Sequence, residues 1–509
     1  MSKYLLGLDI GSSSVKAALV NADSGKTVAV CQSPQEEMAI SSSQSGWAEQ
    51  DPEMWWHHAK ESFQLAIKQS GINTKEIAAI GISYQMHGLV CVDKDLKPVR
   101  PSIIWCDSRA AGIGENAFQA LGHDFCLKHY LNSPGNFTAS KLRWVKENEP
   151  SMYERIFKIM LPGDYIAMKL SGEVCTTVSG LSEGIFWDFE KGAVANDVIR
   201  HYEFDPDLIA RTVPTFSDQG YVLKSVATEL GLTEGIPVAY RAGDQPNNAF
   251  SLNVLNPGET AATAGTSGVV YSVTDKNAFD KKSRVNAFVH VNNGDEVRNG
   301  VLLCINGTGI LNSWLRKNMT APRPPKGEEY SSSPPFGGKG AYERMNALAA
   351  EAPIGSDGLR FYPFGNGGER IFENKILGSS LQGLDFNRHS QSHLLRAAQE
   401  GIVFSLKYGF DILKEMGIET SVVRAGLSNM FLSPLFREAF VNTLNVPLEL
   451  FETNGATGAA VGAGVGAGIF KSFPEAFKGL KKLSDESPKS VIHDQYGEGY
   501  QNWKARLEI

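Results

Sequence analysis

The chain has 509 residues, 42% hydrophobic and 21% charged; that is ample apolar material for large cores and, at about 150 residues per domain, points to two or three domains. A formal net charge of -7 and the lack of any long Lys/Arg run exclude the basic stripe of a nucleic-acid binder, so a small ligand is the expected partner. The first apolar stretch is broken at Asp9, and the most apolar later one, 459–470, is shorter than the ~20 residues of a spanning helix, so a cytoplasmic protein without a membrane partner is expected.

Residues 4–20, YLLGLDIGSSSVKAALV, read as strand, Gly/Ser turn and strand, which is a β-hairpin. At its tip Asp9 ends the first strand and Gly11 permits the turn. Ser12, Ser13 and Ser14 set hydroxyls beside backbone amides that can face phosphate oxygens, and Lys16 adds positive charge. Taken alone, an ordinary polar turn would look much the same. Gly25-Lys26-Thr27 lacks the upstream glycine of a Walker A loop and follows Asp23-Ser24, so it reads as a hairpin connection. Asp51-Pro52-Glu53 is a helix start, with an N-cap, a proline at the first position and an acid in the first turn.

An apolar strand at 77–83 leads to Gln85-Met86-His87-Gly88, where His87 can hydrogen-bond a hydroxyl, although a single histidine is more often structural. Trp105-Cys106-Asp107-Ser108-Arg109 reads as a structural ion pair beside a packed Trp. The cysteines at 31, 91, 106, 126, 175 and 304 form no C-x-x-C pair, which argues against a zinc site and fits reduced thiols. A further apolar strand around 236–241 leads to Gly243-Asp244-Gln245. It places the Asp244 carboxylate at a strand end, the position of a general base; capping the following helix is the equal alternative.

Residues 259–273, ETAATAGTSGVVYSV, repeat the grammar of the first hairpin, with Gly265-Thr266-Ser267-Gly268 as the tip. Two such hairpins half a chain apart predict a pseudo-duplicated protein in which each lobe offers one tip to a shared cleft. Helical patterns alternate with the short strands, the mixed α/β signature. Residues 319–340, rich in Pro, Ser and Gly, read as a long surface loop. The glycines at 458, 462, 464, 466 and 468 look like a dinucleotide fingerprint only superficially. No strand is expected close before them in the required βαβ context, and they read as a small-residue helix that allows close approach to a neighbour or ligand.

Together, LGLDIGSSSVK at 6–16, GWAEQDPEMWW at 46–56, QMHGLV at 85–90, AGDQ at 242–245 and AGTSGVVY at 264–271 resemble the FGGY family of carbohydrate kinases, and the resemblance extends to about residue 470. It implies an α/β fold of two actin-like, ribonuclease H-like ATPase lobes. Residues 1–252 would hold mainly the sugar and the catalytic base, residues 253–509 mainly the nucleotide, with a hinge near 244–257. It implies transfer of the γ-phosphate of MgATP to a hydroxyl of a small sugar. The Gln-Met-His-Gly motif of the family's ketose kinases falls on Met86 and His87 and implies D-xylulose, ahead of ribulose, glycerol or gluconate. Asp244 is then the base, with Gln245 beside it on the substrate. Nucleotide contacts are implied at Ser12, Ser13, Lys16, Thr266, Gly309, Gly426 and Asn429, and Asp9 is implied to orient Mg²⁺ through water. The family's adenosine motif opens with two glycines, whereas Arg424-Ala425-Gly426-Leu427-Ser428-Asn429 has only Gly426. Asn136, in the first family signature at 136–144, replaces a small or aromatic residue, and Gln399, in the second at 378–400, a usually apolar one. Oligomeric state is open, a homodimer being one expected arrangement. A non-catalytic ATPase switch is the rival expectation.

Overall fold

The computed structural model describes residues 3–319 and 340–507. Strand β1 (Tyr4–Ile10) sends Leu6, Leu8 and Ile10 into one apolar layer and Leu5 into another, as period-2 alternation requires of a strand buried on both faces. It pairs antiparallel with β2 (Val15–Asn21), which in turn pairs antiparallel with β3 (Thr27–Ser33). On its other side β1 runs parallel to β4 (Ile77–Tyr84), and β4 parallel to β5 (Val238–Gly243). The order across this sheet is β3-β2-β1-β4-β5.

The second half builds the same sheet again. Its strands are β6 (Glu259–Ala264), β7 (Gly268–Thr274), β8 (Asn286–Val289), β9 (Asn299–Ile305), β10 (Val422–Gly426), β11 (Leu448–Glu452) and β12 (Lys481–Glu486), in the order β8-β9-β7-β6-β10-β11-β12. Strand β6 is antiparallel to β7 and parallel to β10, β7 is antiparallel to β9, and β10 is parallel to β11. The run β9-β7-β6-β10-β11 therefore repeats the order and directions of the first sheet, with β8 and β12 added at its edges. The duplication predicted from two hairpins is present at the level of whole sheets.

Helix α1 (Pro52–Ser70) starts as predicted, with the Asp51 carboxylate accepting from the Glu53 amide and Pro52 at the first position. Its Trp55, Ala59, Phe63 and Ala66 bury against β2 and β3. Further along come α2 (Thr138–Asn148), α3 (Val178–Glu183), α4 (Asp244–Ser251), α5 (Gly309–Asn318), α6 (Gln391–Glu415) and α7 (Gly455–Gly466).

Helix α7 is the small-residue helix expected at 458–468, and it lies across β1, β2, β4 and β5 of the first sheet. A methyl group on Gly7 would stand 1.9 Å from the Ala456 carbonyl oxygen, and one on Gly466 would stand 1.7 Å from that of Ala239. Glycines on strand and helix thus let the two backbones touch, a fit that any side chain would prise apart. Strand β11 precedes the helix, ending at Glu452. The dinucleotide arrangement is still absent, because the strand that follows α7, β12, runs antiparallel to β11.

The two departures from the family signatures are structural junctions. Gln399, buried in α6, donates to Asn346 Oδ1 at 3.0 Å and accepts from the Ser433 hydroxyl at 2.8 Å. Asn136 donates from its side chain to the Asp107 carbonyl. The loop expected at 319–340 falls, between its end residues, outside the described residues. Among the described residues no helix is long and apolar enough to cross a membrane, and all six cysteines are unbridged.

Candidate active site

Alternation along β1 puts Asp9 on the face that carries α7, directly opposite Lys16 across the hairpin. The Asp9 carboxylate meets the start of that helix: a methyl on Gly455 would stand 2.5 Å from its Oδ2. The positive end of a helix favours a negative charge placed there. Burial nevertheless raises the Asp9 pKa above the ordinary carboxylate value, against the pull of Lys16. The tip beyond is anchored by its backbone. Ser12 carbonyl accepts from Gln50 Nε2 at 2.7 Å, and Ser13 carbonyl from the Met38 amide at 2.8 Å. This leaves the Ser13 side chain exposed, while the Ser12 hydroxyl accepts from Trp105 Nε1 at 3.3 Å.

That last contact corrects the reading of Trp105 as packed: it is 53% exposed. The expected Asp107–Arg109 ion pair does form, at 2.7 Å. The aromatic slot, however, is filled by the Arg109 guanidinium itself, 3.8 Å and 4.8 Å from the ring centres of Trp47 and Trp144.

Asp244 is the first residue of α4, directly after β5, and Gly243 holds the cap position, so its carboxylate is not the helix cap. It is half-buried and hydrogen-bonded by its neighbour Gln245; burial and the nearby Asp9 carboxylate push its pKa up to about 7. Behind it, a methyl on Gly243 would stand 2.6 Å from Met86 Cγ and 3.1 Å from Glu183 Oε2, so these two side chains meet at the strand end.

His87 follows Met86 with a φ of 62°, the left-handed region that a residue with a side chain seldom occupies. The surroundings hold it there. Lys141 Nζ donates to the His87 carbonyl at 2.9 Å and to that of Ile104 at 2.9 Å. The imidazole lies 4.8 Å from the Phe137 ring and 5.3 Å from that of Phe288, a residue of β8, so both sheets contribute to this corner. Burial, with Lys141 adding, lowers the His87 pKa to about 3 and keeps the ring neutral; burial likewise brings Lys141 down to about 7.

The second tip is bound to the start of α5: the Gly309 amide donates to Gly265 at 2.8 Å and the Ile310 amide to Thr266 at 3.1 Å. A methyl on Gly265 would stand 3.5 Å from Asn429 Nδ2, and one on Gly426 4.0 Å from the Thr453 carbonyl oxygen. Thr453 leads through Asn454 to Gly455 and so back to Asp9. The structure thereby gathers Thr266, Gly309, Gly426 and Asn429 around one tip, and Asp9, Ser12, Ser13 and Lys16 around the other, with residues 453–455 between them. Asp244, Gln245, Met86 and His87 form the third group, next to Asp9. Arg424, which opens the segment resembling the adenosine motif, pairs with Glu259 at 3.1 Å and Glu449 at 2.9 Å.

Two residues of this region were not singled out from sequence. Glu369 accepts from the amides of Asn306 at 3.0 Å and Gly307 at 3.2 Å, fixing the turn that leads into α5. Glu183 is buried beside Asp244 and His87; the only signal for it was its place as the sole charge between residues 174 and 187.

Both halves match models of one family, the FGGY family of carbohydrate kinases: its N-terminal domain over residues 4–251 and its C-terminal domain over residues 260–468. The chain belongs to the FGGY family of carbohydrate kinases. This FGGY kinase is 29% identical over 503 residues to the xylulose kinase of Bacillus subtilis, covering 97% of the one chain and 94% of the other. In structure it is similar to the xylulose kinase of Rhodospirillum rubrum, with a TM-score of 0.86, 24% identity and coverage of 99% and 98%. It is also similar to Plasmodium falciparum glycerol kinase with ADP, with a TM-score of 0.85, 19% identity and coverage of 100% and 99%. These likenesses bear out the two-lobed actin-like ATPase fold, and the family makes the chain an ATP-dependent sugar kinase.

Proposed function

We propose that this FGGY kinase transfers the γ-phosphate of MgATP to D-xylulose, giving D-xylulose 5-phosphate. The observation that carries the reading is Asp244: a half-buried carboxylate at the end of β5, not used as a cap, beside Asp9 on one side and the Met86–His87 corner on the other. The choice of ketose is supported by Met86-His87 and by the xylulose kinases among the relatives.

In this reading residues 1–252 hold mainly the sugar and residues 253–509 mainly the nucleotide. His87, Met86 and Gln245 fix the sugar so that its O5 points at Asp244, which takes the hydroxyl proton as the oxygen lines up with the γ-phosphorus. The tips at Ser12, Ser13 and Thr266, with Lys16 and Gly309, embrace the phosphates, and Gly426 and Asn429 border the adenosine. Asp9 and Asp244, two hard-oxygen carboxylates close enough for one to raise the pKa of the other, suit a divalent cation such as Mg²⁺, which Asp9 would hold through water. When bound it neutralises charge on the phosphate oxygens. Six unbridged cysteines fit a reducing cytoplasm.

The test is a panel of ketoses and polyols with MgATP, following ADP release, in which D-xylulose should give the highest kcat/KM. A lead for ribulose, glycerol or gluconate overturns the choice. The pH profile follows from the same residue. A carboxyl with its pKa raised to about 7 carries its proton below that pH and cannot accept another, so kcat/KM should fall about tenfold per unit on the acid side of pH 7. A profile flat down to pH 5 would remove a base with this pKa.

A further inference from the structure

We propose that Glu183 is a positioning residue of the sugar site: it fixes His87 in one tautomer, with Nδ1–H bonded and the Nε2 lone pair left to receive one hydroxyl of the sugar. The proposal rests on the reading that the corner formed by Met86 and His87 holds the sugar. His87 Nδ1 lies 3.0 Å from the Glu183 carbonyl oxygen. A carbonyl can only accept, so Nδ1 carries the hydrogen; in a neutral ring Nε2 is then bare. Nε2 has no hydrogen-bond partner among the described residues. It can therefore accept from a ligand hydroxyl but cannot donate to a ligand oxygen.

The Glu183 carbonyl is held in place from three directions. Thr177 caps α3, its hydroxyl accepting from the Gly180 amide at 3.0 Å. Ser182 accepts from the Val289 amide at 3.0 Å and Ser179 donates to the Val289 carbonyl at 2.9 Å, tying the helix to β8. The third tie is the Glu183 side chain, whose Oε1 accepts from the Tyr84 hydroxyl at 2.6 Å. Tyr84 ends β4, the strand that delivers Met86 and His87, so this bond sets the helix against the loop that it serves.

Glu183 is 1% exposed and its Oε2 has no hydrogen-bond partner among the described residues. Two nearby cations are engaged elsewhere: Lys141 bonds two carbonyls and Arg241 lies 3.2 Å from Asp164. An ionised carboxylate there would be costly, and burial, with Asp244 and Asp164 adding, raises the Glu183 pKa well above the ordinary carboxylate value, against the bond from Tyr84. The bond from Tyr84 needs only an acceptor oxygen at this place, which an amide also offers. Glu183→Gln should therefore keep the arrangement, whereas Glu183→Ala removes it.

The experiment uses the full chain and the sugar that the wild type phosphorylates best, so an error in the choice of D-xylulose appears in the wild-type panel and leaves this comparison intact. Glu183→Ala should raise the sugar KM by about 10- to 100-fold while leaving the ATP KM unchanged and lowering kcat less than tenfold. Glu183→Gln should stay within about threefold of wild type. In a His87→Ala background, adding Glu183→Ala should cost less than about threefold more, because two residues acting through one contact are not additive. If Glu183→Ala does not fold, Tyr84→Phe removes the same bond and is read in its place. Three results overturn the proposal: a wild-type sugar KM in the folded Glu183→Ala or Tyr84→Phe protein, a Gln variant as impaired as Ala, or full additivity with His87→Ala.

Discussion

Asp244→Asn is expected to lower kcat by about 10² to 10⁴, or roughly 3 to 5 kcal/mol of barrier, while ATP still binds. The substitution keeps the volume and the hydrogen-bonding reach of the side chain at the start of α4 and removes only its capacity to take a proton. A structural role would predict almost no change, since Gly243 holds the cap position. Measuring kcat on the preferred sugar beside the affinity for ATP decides between the two. Near-normal turnover would remove Asp244 as the proposed base.

Arg109→Met is expected to destabilise the protein by about 3 to 5 kcal/mol, the usual cost of leaving one member of a buried ion pair behind. Arg109 is 1% and Asp107 0% exposed in their side chains, and Arg109 also bonds Glu49 at 2.7 Å while lying between two tryptophan rings. Methionine fills much of the slot between the rings but leaves Asp107 without its cation. Arg109→Lys should recover only part of the loss, because an ammonium neither stacks flat against the indoles nor donates in two directions from one plane. Chemical denaturation of the three proteins reads this directly. A wild-type midpoint for Arg109→Met would show that the pair contributes nothing net.

Both hairpins, the Asp51 cap and the strand before Asp244 were legible because each is written in neighbouring residues: alternation, a turn glycine, a proline at the first helical position. The parts that sequence hid depend on distant ones. Glu183 acquires meaning only from Tyr84 and His87, 99 and 96 residues earlier in the chain. The left-handed backbone of His87 is imposed by Lys141 and two phenylalanines, none of them nearby in sequence. Glu449 of β11 is likewise placed by distant residues, pairing across the sheet with Arg424 and Lys482. Trp105 was misplaced because an arginine took the aromatic slot. Motif spacing singled out residues that the structure places near one another, and long-range contacts decide how each is held.

Helix α7 comes from residues 455–466 yet covers the sheet made by residues 4–243. During synthesis, β1 to β5 therefore leave the ribosome with the face carrying Leu5, Ala79 and Tyr240 bare until nearly the whole chain has emerged. The N-terminal half can build the core on the α1 side of its sheet from its own residues, but the other face stays exposed and invites chaperone binding or aggregation in the interval. Closing that face requires a contact across more than four hundred residues, with the loop-closure entropy that such a separation brings. A fragment ending before residue 455 would carry the strand of Asp244 without the helix that supports it.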